Sequence, residues 1–324
     1  MRGRQFLLGV LVAALEVGAF LSRAQGEKIS LGTPTRGHAL YLLPGMAAEE
    51  KGFWKQEGIE AEWVSFRTGR DISQGVVAGS VHAGITPVGA FWLDTSRGLP
   101  IVIVADLKAY DDWELWVKAD SPFKQANDLK GTKIGVTALG RLTHANAELV
   151  ARSLGIEKLV KFVSVGGGLE MIAALKSGAV ESVVLTIYQM FPLKYKGEVR
   201  SLAKMSGFLG KDWDPLILFS TKKLIQSDPN GVRALVRGTI KATSFVIDNP
   251  SWSVKKISEI TGLSPEGAAE QFKMMTYSRD GAIEEKDVNI FERVKQFLIE
   301  FKQMKKEAAP ALADVYSRQF VPGR

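Results

Sequence analysis

The chain writes one β-α-β-α-β order twice, about 100 residues apart, and this repetition restricts its architecture more than any other feature. In the first copy, residues 28–31 read as a short strand, and the turn Gly32-Thr33-Pro34-Thr35-Arg36-Gly37 leads into a helix over 40–51 that Gly52 stops. Residues 59–66 alternate as a strand, 71–78 form a short helix closed by Gly79, and 82–86 form a third strand with Pro87 at its exit. The second copy runs through a strand over 133–136, a helix over 143–154 stopped by Gly155, a strand over 160–165 and a helix over 169–177. Gly58-Ile59-Glu60 matches Gly155-Ile156-Glu157, Ala78-Gly79-Ser80-Val81 matches Ser177-Gly178-Ala179-Val180, and Thr86 corresponds to Thr186.

Strands that alternate with helices pair in parallel through right-handed crossovers, so the pattern predicts an α/β fold of two similar lobes. Ligands of open α/β sheets sit beyond the carboxyl ends of the strands, and two such lobes face to face make a cleft. The extended segments 114–118 and 216–220 bracket the second copy and are expected to pair as the hinge. That division gives lobe one residues 27–113 and 219–324, and lobe two residues 114–218. After Ser220 the chain turns helical. Asp228-Pro229 and Ser264-Pro265 each supply an N-cap followed by a proline at the first helical position. Residues 288–304 carry Phe291, Val294, Phe297, Leu298 and Phe301 on one broad face, which is expected to pack onto lobe one.

At the N-terminus, Arg2 and Arg4 precede an apolar run over 6–21, and small residues follow at Ser22, Ala24 and Gly26. This order predicts a secretory signal peptide over 1–26 and a periplasmic or otherwise extracytoplasmic mature protein. A retained membrane anchor is the alternative, opposed by Glu16, whose carboxylate would lie in hydrocarbon. With 46% apolar and 24% charged residues the 324-residue chain is that of a folded globular protein. It has no cysteine, which excludes thiol nucleophiles, thiolate zinc sites, iron–sulfur clusters and disulfides. Lysine and arginine are scattered among acids rather than gathered in a stripe, which argues against nucleic acid as a partner.

Three stretches carry a family likeness: Pro44-x-x-Ala47 through Gly52-Phe53 to Gly58-Ile59, then Asn127 to Val136 with its Asp-Leu-Lys-Gly core, then Ala174 to Val184. They resemble the nitrate, sulfonate, taurine and thiamine-pyrimidine binding proteins of ABC importers. The resemblance implies a two-lobed type II periplasmic binding protein, each lobe a mostly parallel sheet flanked by helices, with two hinge crossings. It also implies a function without covalent chemistry or cofactor: a monomer that captures a small solute and delivers it to an ABC permease in the inner membrane. A periplasmic enzyme on the same fold and a sensor that presents ligand to a receptor are the alternatives. Pyrimidine synthases that share the fold depend on a cysteine-rich iron site, and this chain lacks the cysteines.

Reactive constellations are few in the sequence. Gly135 to Leu142 imitates a phosphate loop, but Arg141 and Leu142 stand where Lys and Ser or Thr are required. His38, His82 and His144 lack metal-ligand spacing, and no metal site is expected. Asp111 and Asp112, adjacent in extended chain, would point to opposite faces. The topology instead gathers six loops at the cleft: 33–38, 66–70 and 86–87 in lobe one, 137–143, 165–168 and 186–189 in lobe two. Four arginines, Arg36, Arg67, Arg70 and Arg141, lie on these loops with Asp71 as the acid nearby. Guanidinium forks and helix N-termini match a sulfonate or carboxylate, with Arg36 and Arg141 as the expected clamp. The expected ligand set in lobe one is Thr35, Arg36, His38, Phe66, Arg67, Thr68 and Thr86. In lobe two it is Thr137, Arg141, Thr186 and Tyr188, and Tyr110 with Tyr188, Phe66 and Trp113 would supply an apolar wall unless Trp113 packs in the hinge. The triple glycine 166–168 is either a close backbone approach to the ligand or a plain tight turn.

Overall fold

Each copy of the repeat builds three parallel strands of a five-stranded sheet, and the rest of the chain adds one reversed strand and one edge strand to each. The structure is a computed structural model that describes residues 28–34, 37–110, 112–210 and 212–321; the expected signal peptide, Thr35, Arg36 and Asp111 lie outside the described residues. The first sheet contains β1 (Ile29–Pro34), β2 (Ala61–Phe66), β3 (Ala83–Pro87), β4 (Ile101–Tyr110) and β10 (Pro215–Thr221) in the order β2-β1-β3-β10-β4. The second contains β5 (Trp113–Lys118), β6 (Lys133–Val136), β7 (Lys161–Ser164), β8 (Ser182–Thr186) and β9 (Val199–Lys204) in the order β7-β6-β8-β5-β9. In each sheet four strands run one way and a single strand, β10 in the first and β5 in the second, runs against both of its neighbours, so the sheets are mixed but mostly parallel, as expected.

The expected pairing of 114–118 with 216–220 does not form. β5 lies between β8 and β9, and β10 lies between β3 and β4, so each segment is a central strand of its own sheet. The chain changes sheet between β4 and β5, around residues 111–112, and again between β9 and β10. Trp113 is therefore in the second sheet, and residues 215–218 are in the first. The physical reason is burial: β10 reads Pro-Leu-Ile-Leu-Phe-Ser-Thr and is buried at all seven positions, which a solvated crossing could not achieve.

Each β-strand of the two parallel trios feeds a helix. In lobe one these are α1 (Ala39–Glu50), α2 (Gly69–Ala78) and α3 (Val88–Thr95); in lobe two they are α4 (Leu142–Ser153), α5 (Gly168–Ser177) and α6 (Ile187–Tyr195). α2 shows how local chemistry sets the boundaries. Thr68 Oγ1 accepts from Asp71 N and the Asp71 carboxylate accepts from Thr68 N, while Gly79 takes the left-handed conformation that ends the helix. The helical tail adds α7 (Pro229–Asp248), α8 (Pro250–Thr261), α9 (Pro265–Lys273) and α10 (Glu285–Glu300). α10 buries Phe291, Val294, Phe297 and Leu298, each contributing about 1.5–3 kcal/mol. Trp92 Nε1 of α3 donates to the Phe291 carbonyl at 2.9 Å, so this helix docks on lobe one.

The return crossing is tied down by Asp214, fully buried with φ +58°. Its Oδ1 accepts from the Gly89 N–H of α3 at 2.7 Å, and its Oδ2 accepts from Trp113 Nε1 of β5 at 3.2 Å. One carboxylate thus holds together both sheets at the point where the chain passes between them. A Cβ on Gly89 would lie 2.8 Å from Leu142 Cδ1 at the start of α4, so the lobes meet here too closely for a larger residue. Replacing Asp214 by Ala strands two buried donors and leaves at a positive φ a residue without the short polar side chain that tolerates it. Urea unfolding should show a loss of about 3 kcal/mol, and a change within ±0.5 kcal/mol would remove Asp214 from this role.

Candidate functional site

Six helices begin at the carboxyl ends of six parallel strands, three in each sheet, and all six point their N-termini at one void. The N-cap residues are His38, Thr68 and Pro87 in lobe one and Arg141, Gly167 and Thr186 in lobe two, and every one of them lines a cavity of about 470 Å³ between the lobes. An α-helix carries about half a positive elementary charge at its N-terminus, and its first N–H groups have no partner within the helix. A volume of this size suits an organic molecule rather than a bare oxyanion.

Contacts that run from lobe to lobe bridge the cavity. His38 Nε2 and Thr186 Oγ1 form a hydrogen bond of 2.9 Å with both residues buried, and Thr186 also caps α6 by accepting from Gln189 N. Arg141 Nη1 lies 3.1 Å from Asp94 Oδ1 at the end of α3, and Arg97 Nη2 donates to the Gly140 carbonyl at 2.8 Å. Burial pushes the Asp94 carboxyl above its ordinary range, against the pull of Ser73, Arg141 and Arg97. Burial, with the repulsion of Arg97 and Arg70, lowers the Arg141 guanidinium, against the pull of Asp94. Nearer the surface, Arg67 Nη1 lies 3.7 Å from Glu170 Oε1.

The walls mix polar and apolar groups. Tyr41, Leu93, Trp113, Leu142 and Leu185 line the cavity beside the arginines. The loop before α4 is braced from within, since Thr143 Oγ1 accepts from Thr137 N at 2.9 Å and lies 2.8 Å from Thr137 Oγ1. Thr86 is fully buried at the end of β3, lines the cavity, and its Oγ1 makes no hydrogen bond. A buried hydroxyl left unpaired costs about 1–3 kcal/mol, so a ligand atom at that position would recover it.

Of the sequence-predicted residues, His38, Arg67, Thr68, Thr86, Thr137, Arg141 and Thr186 come together around the cavity, and Gly166, Gly167 and Gly168 line it as backbone. Trp113 serves both the wall and the hinge. Three aromatic residues lie elsewhere. The Phe66 ring fills the space over Gly32 and Gly75 inside lobe one, within 3.3 Å of where a Cβ on either would stand. Tyr110 lines a separate pocket with Lys108 and Asp212. Tyr188 is buried, its hydroxyl donating to the Met274 carbonyl and its carbonyl accepting from Gln271 Nε2, so it binds lobe two to the helical tail. Thr35 and Arg36 lie outside the described residues. Sequence reasoning missed Tyr41 and Asp94. Asp94 closes the apolar run 88–93, and an isolated acid there was the available signal.

The family model described as NMT1/THI5 like matches residues 40–253. A binding protein of Brucella abortus (strain 2308) is 28% identical over 253 residues, covering 73% of this chain and 76% of its own. A Candida albicans gene product described as having the generic periplasmic binding protein fold superposes with a TM-score of 0.77 at 14% identity, covering 91% of this chain and 97% of its own. The alkanesulfonate-binding protein SsuA from Xanthomonas axonopodis pv. citri, bound to MOPS, gives 0.73 at 15% identity, covering 90% and 98%. The desulfurization enzyme DSZB gives 0.65 at 17% identity, covering 91% and 97%. The chain therefore has the periplasmic-binding-protein fold, which carries binding proteins and at least one enzyme.

If the Asp94–Arg141 contact joins the lobes as a pair, replacing each by Ala and then both should give a coupling energy of about 1–2 kcal/mol in urea unfolding. Simple additivity would mean that the two groups act separately.

Proposed function

The chain belongs to the NMT1/THI5-like family, and on that premise we propose that it is the extracytoplasmic solute-binding component of an ABC import system. Its ligand in this reading is a small organic anion, a sulfonate or carboxylate, held in the cavity between the lobes. The observation that carries the proposal is the convergence of six helix N-termini on one cavity between the lobes. The side chains add to the same sign. Three arginines, Arg67, Arg70 and Arg141, and two acids, Asp71 and Asp94, line the cavity, leaving positive charge in surplus. Asp71 is occupied in capping α2, and Asp94 holds Arg141. Arg70 makes no ion pair with an acid among the described residues, so it joins the expected Arg36–Arg141 clamp as a further guanidinium placed to take a ligand's charge. The contact between Arg67 and Glu170 is exposed at both ends and worth little.

In this reading the anionic head lies against the helix N-termini and Arg70, and the organic part lies against Tyr41, Trp113 and Leu185. Bridging contacts between the lobes then enclose the ligand without reacting with it. Residues 1–26 direct export, the partner is a permease of the inner membrane, and the protein acts as a monomer without cofactor. Binding proteins predominate among its relatives and structural neighbours, and the likeness to a desulfurization enzyme keeps turnover as the competing outcome. The Thr86 hydroxyl and the aromatic wall favour a neutral heterocycle as the second ligand class.

A thermal-shift screen of alkanesulfonates, carboxylates, nitrate and pyrimidines separates these readings. A true ligand at 100 times its Kd stabilises the protein by about 2.7 kcal/mol. Replacing Arg70 by Ala should weaken anion binding by about 1.5–3 kcal/mol, or about 10- to 150-fold in Kd. A response confined to neutral heterocycles would overturn the anion assignment, and chemical conversion of a bound compound would overturn the transport role.

A further inference from the structure

A second set of buried charges lies away from the cleft, under the crossing between the lobes. β4 carries a bulge there: Ile217 of β10 pairs with Asp106 while its neighbour Leu216 pairs with Ala109, and Lys108 between them takes φ +47°. Asp106 Oδ1 holds the bulge by accepting from Lys108 N at 2.8 Å. The helical tail braces the same residues. Gly281 accepts from Asp106 N at 3.0 Å, Ser278 N donates to the Leu107 carbonyl, and Thr276 Oγ1 donates to the Lys108 carbonyl at 3.1 Å.

Asp287 of α10 approaches from the other side, and both carboxylates are fully buried. Its Oδ2 accepts from Glu284 N at 2.8 Å and lies 3.5 Å from Lys108 Nζ. The second oxygen of each acid, Asp106 Oδ2 and Asp287 Oδ1, is buried without a hydrogen-bond partner. Cations are too few around them. Lys108 Nζ also lies 3.3 Å from Glu284, Lys286 pairs with Glu284 at the surface, and Asp280 adds a further negative charge from the loop before α10. β10 contributes no titratable group. Asp287 also lines a pocket with Tyr110, Asp212 and Arg293, so the end of β4 and the turn before β10 share it with α10.

We propose that Asp106 and Asp287 hold one proton beneath the crossing, and that its release loosens the β4 bulge and makes hinge mobility depend on pH. A proton turns one orphan acceptor into an O–H donor and removes the repulsion between two buried carboxylates. Burial, then the charges of Asp287 and Asp280, push the Asp106 carboxyl up to about 7 against the pull of Lys108. Burial, with Asp106, Asp212 and Asp287, likewise raises the Tyr110 phenol, which stays protonated. The folded carboxyl keeps a proton that the unfolded chain has lost, so stability falls as pH climbs from about 4 to about 7 and levels off above.

The test uses the whole protein and needs no ligand. Side-chain carboxyl 13C NMR should place the Asp106 midpoint between pH 6 and 8, and Asp287→Asn should lower it by at least one unit. Amide protection factors at 107–110 should fall about tenfold from pH 6 to pH 8.5 in the wild type and stay level in Asp106→Asn. A midpoint near 4 in the wild type overturns the proposal, as does equal protection at both pH values; the wild-type measurements decide alone if a variant does not fold.

Discussion

The structure depends on one consequence of parallel pairing: a helix that follows a parallel strand must start at the carboxyl edge of the sheet, so every such helix points the same end of its dipole the same way. Two three-strand units face each other here, and six positive ends meet across a single void. Like ends repel, and the chain answers with acceptors set among them. Thr68 and Thr186 cap their own helices, Asp71 completes the box at α2, Asp214 takes the Gly89 amide, and Asp94 stands beside Arg141. These groups neutralise part of the field and fix the geometry of the remainder.

The same acceptors define how the lobes are joined. Asp214 binds α3 of one lobe to Trp113 of the other at the crossing, while the helical tail touches lobe two on both flanks. On one flank Gln271 and Met274 hold Tyr188; on the other, Gln303 contacts Glu148 and His144, and the Arg152 guanidinium lies over the Phe301 ring. Polar contacts of this kind exchange readily with water. Apolar contact accompanies them, since each of the two core clusters includes residues of both lobes, Tyr41 and Tyr188 in one and Leu93 and Leu142 in the other.

The twofold repeat was legible because glycine stops, caps and Val/Ile-rich strands are local signals, and it located the six loops at the cavity. What followed from alternating strands and helices held: the boundaries of α1, α2, α4 and α5 fall within two residues of those expected. The crossing was not legible, because β5 and β10 are apolar runs whose partners lie far away in sequence and whose membership of a sheet is set by packing. Side-chain direction was also hidden. Phe66 ends a cleft-facing strand yet turns into the space left by Gly32 and Gly75, and Arg141 is held by an acid that belongs to a helix absent from the repeat as read.

The central claim is that the lobes move as units around a solute held between them. The chain has no cysteine, so a spin label can be placed on each lobe by introducing one cysteine at Val77 and one at Leu169, both exposed. Pulsed electron paramagnetic resonance then reads the distance between α2 and α5 directly. The account predicts a broad distribution without ligand that narrows and shortens when a stabilising solute is added. An identical distribution with and without such a solute would contradict it.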